Sequence, residues 1–394
     1  MARKSRNIFE EVGSEARDRA APRQTGVIDR AARTGARRAI RIWLMVLFAL
    51  VVTMIAVGGL TRLTDSGLSI TEWAPISGAI PPLSAEDWAA EFEAYRQIPE
   101  YQLQNRGMSM AEFQVIYWWE WGHRQLGRFI GLVWAVGFVG FLAARQIPPG
   151  WTGRLLLLGA LGGLQGAIGW WMVASGLTEG MLDVASYRLA THLGLAFVIL
   201  GLLAWYIFRL GRAQTDLLQA QRARDRKLWG MSTGLLHLSF VQILLGALVA
   251  GIDAGRSYTD WPLMAGQIFP GNAFDLEPLW RNIFENAGLV QFVHRVTGYL
   301  LFGFAIAVWL AGRKSPHPAT RRAFGDMMAL MVVQLILGIV TVLNAAPWQL
   351  AILHQATAVA LWVVVLRARF LAGYPRAESV RGTSPRRADR RVSA

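Results

Sequence analysis

Residues 118–144 read WWEWGHRQLGRFIGLVWAVGFVGFLAA, a short head with one histidine followed by a long apolar run. A helix needs about 20 apolar residues to cross a bilayer core of roughly 30 Å, so this stretch predicts a membrane-spanning helix. Seven further stretches meet the same criterion, and they are residues 42–60, 155–173, 189–208, 228–251, 292–310, 327–346 and 348–366. The sequence therefore predicts an all-α integral membrane protein with eight transmembrane helices.

The composition supports this class and excludes several chemistries. The chain is 54% hydrophobic and 17% charged, which is too apolar for an ordinary soluble domain. It contains no cysteine, which rules out disulfides, thiolate metal sites, iron–sulfur clusters and covalent haem attachment. Histidine and methionine remain as ligands for a transition metal. The formal net charge of +14 comes from basic clusters between apolar runs, a pattern typical of cytoplasmic loops and not of a nucleic-acid surface.

The charge pattern also predicts how the chain is divided and oriented. Lys and Arg are most frequent on the side of both termini, so we expect both termini in the cytoplasm. Residues 61–117 and 252–291 then form long outer loops, and the amphipathic stretch at residues 87–95 predicts either a helix on the membrane surface or a solvated loop helix. The predicted parts are a basic arm (1–41), an N-terminal four-helix bundle (42–209), a linker (210–228), a C-terminal four-helix bundle (229–371) and a basic tail (372–394).

The two halves of the chain resemble each other. Residues 65–73 match residues 253–261, and ordered single-residue matches follow in the spans: His123, Arg124 and Gly127 with His294, Arg295 and Gly298, Gln165 and Gly169 with Gln334 and Gly338, and His192 with His354. Each repeat has four spans, an even number, so both halves have the same orientation. We therefore predict two four-helix bundles related by a pseudo-twofold axis along the membrane normal.

Four of the matched residues are histidines, and they lie on the second and fourth span of each repeat. An ionisable side chain in mid-membrane costs about 2.5–3.5 kcal/mol on insertion scales, so it rarely lies there without a role. Two imidazoles on neighbouring helices can ligate the iron of a porphyrin that lies between them. One such histidine could simply bond to a neighbouring helix, but four in twofold register favour two haem sites. His123 and His192 form the first predicted pair, and His294 and His354 the second.

Residues near these histidines predict which other groups would contact a bound haem. Arg124 and Arg295 can each pair with haem propionates, although an arginine there can also reach the interface as a structural residue. Gly127 and Gly298 lie one turn after a histidine and leave room for a ring. The unmatched His237 is interpreted as structural.

The halves differ beside the first histidine of each pair. Glu120 precedes His123 by one turn, whereas Gln291 occupies the matching place before His294. Arg62 and Arg188 also lack basic counterparts. A buried carboxylate is a candidate for proton transfer or charge stabilisation, so we expect chemistry at the N-terminal site and a resident haem at the C-terminal one. The alternative is that Glu120 only pairs with Arg124.

Several motifs resemble those of haem A synthases of the mitochondrial and proteobacterial type. They include residues 59–69 (GLTRLTDSGLS), 120–128 (EWGHRQLGR), 170–177 (WWMVASGL), 187–192 (YRLATH) and 291–295 (QFVHR), and the similarity extends over residues 42–370. The resemblance implies an oxidoreductase that converts haem O to haem A by successive hydroxylations of a ring methyl to a formyl. Glu120 matches the family's essential glutamate.

The resemblance also implies ligands and partners. His123, His192 and Arg124 would bind the substrate haem O, and His294, His354 and Arg295 a haem b cofactor. Implied partners are a haem O synthase, an electron donor, cytochrome oxidase assembly factors and the lipid of a bacterial inner membrane, and a homo-oligomer is compatible with it. Two alternatives are a di-haem b-type electron carrier that reacts with quinol and a transporter built on parallel repeats.

Overall fold

The computed structural model describes residues 27–178 and 180–376, and this part of the chain is helical without a β-strand. The α-helices, in order, are α1 (Val27–Leu63), α2 (Ala85–Arg96), α3 (Pro99–Leu103), α4 (Met110–Ala143), α5 (Thr152–Gly176), α6 (Ser186–Leu210), α7 (Gln214–Arg222), α8 (Arg226–Gly251), α9 (Asn282–Glu285), α10 (Ala287–Gly312), α11 (Pro318–Leu343) and α12 (Trp348–Gly373).

Eight of the described helices are long and apolar enough to cross a membrane, which confirms the predicted all-α membrane class. They are α1, α4, α5, α6, α8, α10, α11 and α12. Several extend beyond the apolar runs. Helix α4 begins eight residues before the predicted span, because Ser109 caps it and the Glu112 carboxylate accepts in turn from the backbone N–H of Ser109. The first 26 residues of the predicted arm and residues 377–394 of the predicted tail lie outside the described part of the chain.

The spans pack in two groups of four. In the first group α1 contacts α4 and α6, and α5 contacts α4 and α6; in the second, α8 contacts α10 and α12, and α11 contacts α10 and α12. The groups meet where α6 contacts α8 and α12, and where α1 contacts α12. Exchanging the halves maps the α6–α8 contact onto the α12–α1 contact, as a twofold arrangement requires. The twofold axis itself stays a prediction.

Side-chain hydrogen bonds to backbone carbonyls connect the two groups. The indole Nε1 of Trp362 donates to the carbonyl of Phe197 at 3.0 Å, and the amide of Gln355 donates to the carbonyl of Ile55 at 2.7 Å. Far from this contact, α4 exposes apolar side chains such as Leu132 and Val136. Because lipid covers such a surface at no cost, this face of α4 is a membrane face.

The first outer loop folds back on the start of α4. Helix α2 covers the predicted amphipathic stretch, and it begins at a capping box between Ser84 and Asp87. Its Phe92 and Tyr95 are buried against Phe113 of α4, with ring centroids 4.8 and 5.3 Å away. The apolar face of α2 therefore packs on α4. The sequence analysis expected this stretch either on the membrane surface or in solvent, and it did not expect this contact.

A buried carboxyl lies under this loop. Glu100 of α3 is 3% exposed, and its Oε2 has no hydrogen-bond partner among the described residues. Asn105 donates to its Oε1 at 3.5 Å. Burial, with the nearby carboxylates of Asp65 and Asp183, raises the pKa of Glu100 from 4.5 to about 8.

This shift predicts a pH-dependent loop. Because the pKa of Glu100 is higher in the folded state, its stabilising contribution is fully present below about pH 4.5 and is lost as the pH rises to about 8. Glu100→Gln keeps the shape without the charge, so it should abolish that loss. Hydrogen exchange of residues 92–103, corrected for intrinsic rates, should show wild-type protection falling from about pH 5 to about pH 8 while the variant stays level. Parallel curves for the two proteins would contradict the prediction.

Candidate functional site

Each of the four predicted ligand histidines packs against a glycine of a neighbouring helix. A Cβ added to the glycine would lie within 3.3 Å of the imidazole Cε1 in every case: 3.3 Å for Gly58 and His123, 2.8 Å for Gly169 and His192, 3.1 Å for Gly246 and His294, and 3.1 Å for Gly338 and His354. The missing side chain is therefore what lets each ring enter the gap between helices. Gly169 and Gly338 were recognised in the repeat; Gly58 and Gly246, at matching places on α1 and α8, were not.

The two helices that carry a predicted histidine pair pack on the same two spans. Helices α4 and α6 each contact α1 and α5, and α10 and α12 each contact α8 and α11. The ligand helices of each half are therefore diagonal in their four-helix group and not neighbours, which corrects the expectation from the sequence. That the two imidazoles of each pair face each other stays a prediction.

Three of the four imidazoles lie against a glutamine amide. The Nε2 atoms of Gln165, Gln242 and Gln334 lie 3.2, 3.1 and 3.3 Å from Nδ1 of His192, His294 and His354, respectively. The Oε1 atom of each glutamine is buried without a hydrogen-bond partner in the described part of the chain. Gln242 was not among the predicted site residues. The sequence contains a pattern that indicates this residue, because Gln-x-x-x-Gly recurs at 165–169, 242–246 and 334–338.

These groups fit a haem better than a chelated metal ion. Within the described ranges no group of three His, Asp or Glu side chains has an arrangement that could hold a metal ion. Axial ligation of a porphyrin iron needs only one or two imidazoles. A histidine that ligates through one nitrogen carries its proton on the other and needs an acceptor for it, and the unpaired amide oxygens can supply one after rotation of the amide group.

Glu120 lies on α4 one helical turn before His123. Its side chain is 3% exposed. Oε2 accepts from the hydroxyl of Ser69 and the backbone N–H of Ile70, both at 2.8 Å, and Oε1 accepts from Nη2 of Arg124 at 2.7 Å. Arg124 in turn donates to the carbonyls of Ile70 and Glu72. The carboxylate and the guanidinium together hold the first outer loop on α4.

The second half holds its own loop at the matching position with an arginine and an amide, and Gln291 stands where the first half has the Glu120 carboxylate. Arg295 donates to the carbonyls of Tyr258 and Leu263, both at 2.9 Å, and the amide of Gln291 donates to the same Tyr258 carbonyl at 3.1 Å. Tyr258 is the repeat counterpart of Ile70. The arginines thus bind loop backbone in both halves, and their predicted pairing with haem propionates stays a prediction.

Comparison with known proteins identifies the family. Residues 41–366 match the family described as cytochrome oxidase assembly protein. The chain belongs to this family. Three similar relatives are each named heme A synthase: that of Ruegeria sp. (strain TM1040) is 68% identical over 96% of this chain and 99% of its own, that of Dinoroseobacter shibae 70% over 96% and 99%, and that of Paracoccus denitrificans 61% over 97% and 100%. The predicted family resemblance is confirmed.

In this cytochrome oxidase assembly protein, the two unmatched arginines have different surroundings. Arg62, at the end of α1, bonds Asp65 at 3.0 Å and both Asp183 and Asp253 at 3.3 Å. The guanidinium of Arg62 therefore links three loops between membrane-spanning helices, and the loop that contains Asp253 belongs to the second half. Arg188 donates to the carbonyl of Trp171 at 2.7 Å and lies over its ring. Neither arginine has a partner among the four histidines.

His237, interpreted from the sequence as structural, lies exposed on α8. Its imidazole has no hydrogen-bond partner within residues 27–178 and 180–376.

The Glu120–Arg124 pair predicts a local change when the carboxylate is lost. Glu120→Ala removes the acceptor of four hydrogen bonds, two of them from loop residues, and hydrogen bonds to charged groups contribute about 1.5–3 kcal/mol each. We expect hydrogen exchange of residues 66–73 to accelerate by at least about tenfold.

Gln291→Ala is the matched control, because it removes the equivalent contact in the other half. It should accelerate exchange near residue 258 and leave residues 66–73 protected. An unchanged first loop in Glu120→Ala would show that the carboxylate does not hold it.

Proposed function

We propose that the chain is a haem A synthase, an oxidoreductase that converts a ring methyl of haem O to the formyl of haem A by successive hydroxylations. The observation that carries the proposal is a difference in charge between two histidine pairs that occupy matching places in the repeat. Only the first has a buried carboxylate, Glu120, one helical turn from its histidine. Near-full-length relatives named heme A synthase support the same activity.

We assign the substrate to the first pair and the cofactor to the second. His123 and His192 would hold haem O, and His294 and His354 would hold haem b. When bound, haem b supplies electron transfer. The division is supported by the exchange of the Glu120 carboxylate for the neutral amide of Gln291 at the matching place beside the second pair. A haem that is not itself modified needs no carboxylate to stabilise charge on a reacting carbon.

Glu120 is proposed to act through its charge. Both carboxylate oxygens already accept hydrogen bonds, so taking up a proton would weaken the contacts that hold the first loop. A fixed carboxylate can instead stabilise positive charge that develops on the substrate methyl carbon, without reorganisation of its surroundings. Arg124 and Ser69 would then be positioning residues that fix the carboxylate beside His123.

We place the protein in a bacterial inner membrane with both termini in the cytoplasm. The basic groups Arg226 and Lys227 begin α8, and Arg313 and Lys314 follow the end of α10, on the side where α1 starts. The histidines lie near the opposite ends of their helices. Proposed partners are a haem O synthase, an electron donor, cytochrome oxidase assembly factors and membrane lipid; a homo-oligomer remains compatible.

A di-haem electron carrier is the second candidate, because both halves pack histidine on glycine in the same way. Acid-acetone extraction and mass analysis of the purified protein separate the candidates. A synthase should yield haem O, its alcohol or haem A beside haem b, whereas an electron carrier would yield haem b alone. A protein without any haem absorbance would instead agree with a transporter.

Glu120→Gln tests the role of the charge, since it installs the residue that the second half carries at the matching place. We expect both haems to stay bound while the formyl product falls by at least about 100-fold, in the range of losing one electrostatic contact in a transition state. The measurement is the ratio of haem A to haem O in the extracted pigment. Unchanged haem A would leave Glu120 as a partner of Arg124 only.

A further inference from the structure

Met54 and Gln242 occupy the same place in the two repeats. Each lies four residues before the glycine on which a histidine packs, Gly58 on α1 and Gly246 on α8. Each also faces the glycine one turn after that histidine. A Cβ added to Gly127 would lie 3.5 Å from the Met54 methyl, and one added to Gly298 would lie 3.3 Å from the Gln242 amide nitrogen.

The exchange of an amide for a thioether changes what the histidine contacts. Gln242 Nε2 lies 3.1 Å from Nδ1 of His294 and donates to the carbonyl of the same residue at 3.0 Å. The ring of His123 has no hydrogen-bond partner in the described part of the chain. The other three histidines each have a glutamine amide beside the ring, and Met54 occupies the place that Gln242 has in the second repeat.

An amide beside a ligand histidine has a known physical effect. Its oxygen, turned toward the ring by rotation of the amide group, can accept the free N–H of the histidine. Such an acceptor fixes the tautomer and orientation of the ring and makes the ligating nitrogen more basic, and its loss typically lowers metal affinity by about 10–100-fold. A thioether is only a weak acceptor and cannot take this role. The ring of His123 therefore has no amide to fix its tautomer and orientation, whereas His192, His294 and His354 each have one.

We propose that Met54 is a positioning residue that makes His123 the exchangeable ligand of the first site, while Gln242 makes His294 a fixed ligand of the second. This inference rests on the proposed function, because it takes the first pair as the substrate site. A substrate haem must enter and its product must leave at every turnover, so weak ligation on one side favours exchange. A resident cofactor must stay, and both of its histidines have an amide.

Reciprocal variants of the full-length protein test the proposal. Met54→Gln should slow release from the first site, and Gln242→Met should accelerate release from the second, each by about tenfold. Met54→Leu is the matched control: it keeps an apolar side chain without an amide and should release haem at the wild-type rate.

Release is measured by mixing the purified protein with excess apomyoglobin and extracting the retained pigment at intervals. Haem O and haem A report the first site and haem b the second, so chromatography follows both sites in one sample. Thermal unfolding of each variant should match wild type, which separates a ligand effect from a general loss of structure.

Two results would overturn the inference. Equal release of haem O from wild type and Met54→Gln, with haem A still formed, would remove the role of Met54 and leave the proposed function intact. Slower release from Met54→Leu as well would show that side-chain shape, and not the amide, sets the rate. Absence of haem O and haem A from every preparation would instead contradict the proposed function itself.

Discussion

The packing of an imidazole against a glycine on the next helix is the contact on which the rest of this structure depends. A side chain as polar as histidine is costly within a bilayer unless it has a partner there. Gly58, Gly169, Gly246 and Gly338 each leave the space that such a ring needs. Because these glycines are on the first and third span of each half and the histidines on the second and fourth, the same contact sets which helices are neighbours.

On this shared framework the two halves differ in charge. The first half places the carboxylate of Glu120 one turn before its histidine, whereas the second places the amide of Gln291 there. A charged group held in a site of low dielectric acts strongly on a reacting centre, but it also costs desolvation. Under the proposed function, the first half bears that cost at the site where the substrate reacts.

The outer loops belong to the sites and are not simple connections between spans. Ile70 in the first loop and Tyr258 in the second occupy matching positions, and each is bonded through its backbone to residues that precede or follow a histidine. In both halves, hydrogen bonds therefore connect the loop to the helix that carries the first histidine of the pair. In the first half, Phe92 and Tyr95 of α2 add a buried aromatic contact that fixes the loop further.

The sequence alone determined the eight spans, the repeat, the four histidines and the Glu120–Gln291 difference. These follow from hydropathy over about 20 residues and from residue identity, which are local properties. Only the tertiary structure decided that Glu120 is saturated by Ser69, Ile70 and Arg124, that Glu100 is buried under the first loop, and that Gln242 faces His294 while Met54 faces Gly127. Each of these depends on contacts between residues far apart in the chain, and such contacts follow from how helices pack and not from the periodicity of any one of them.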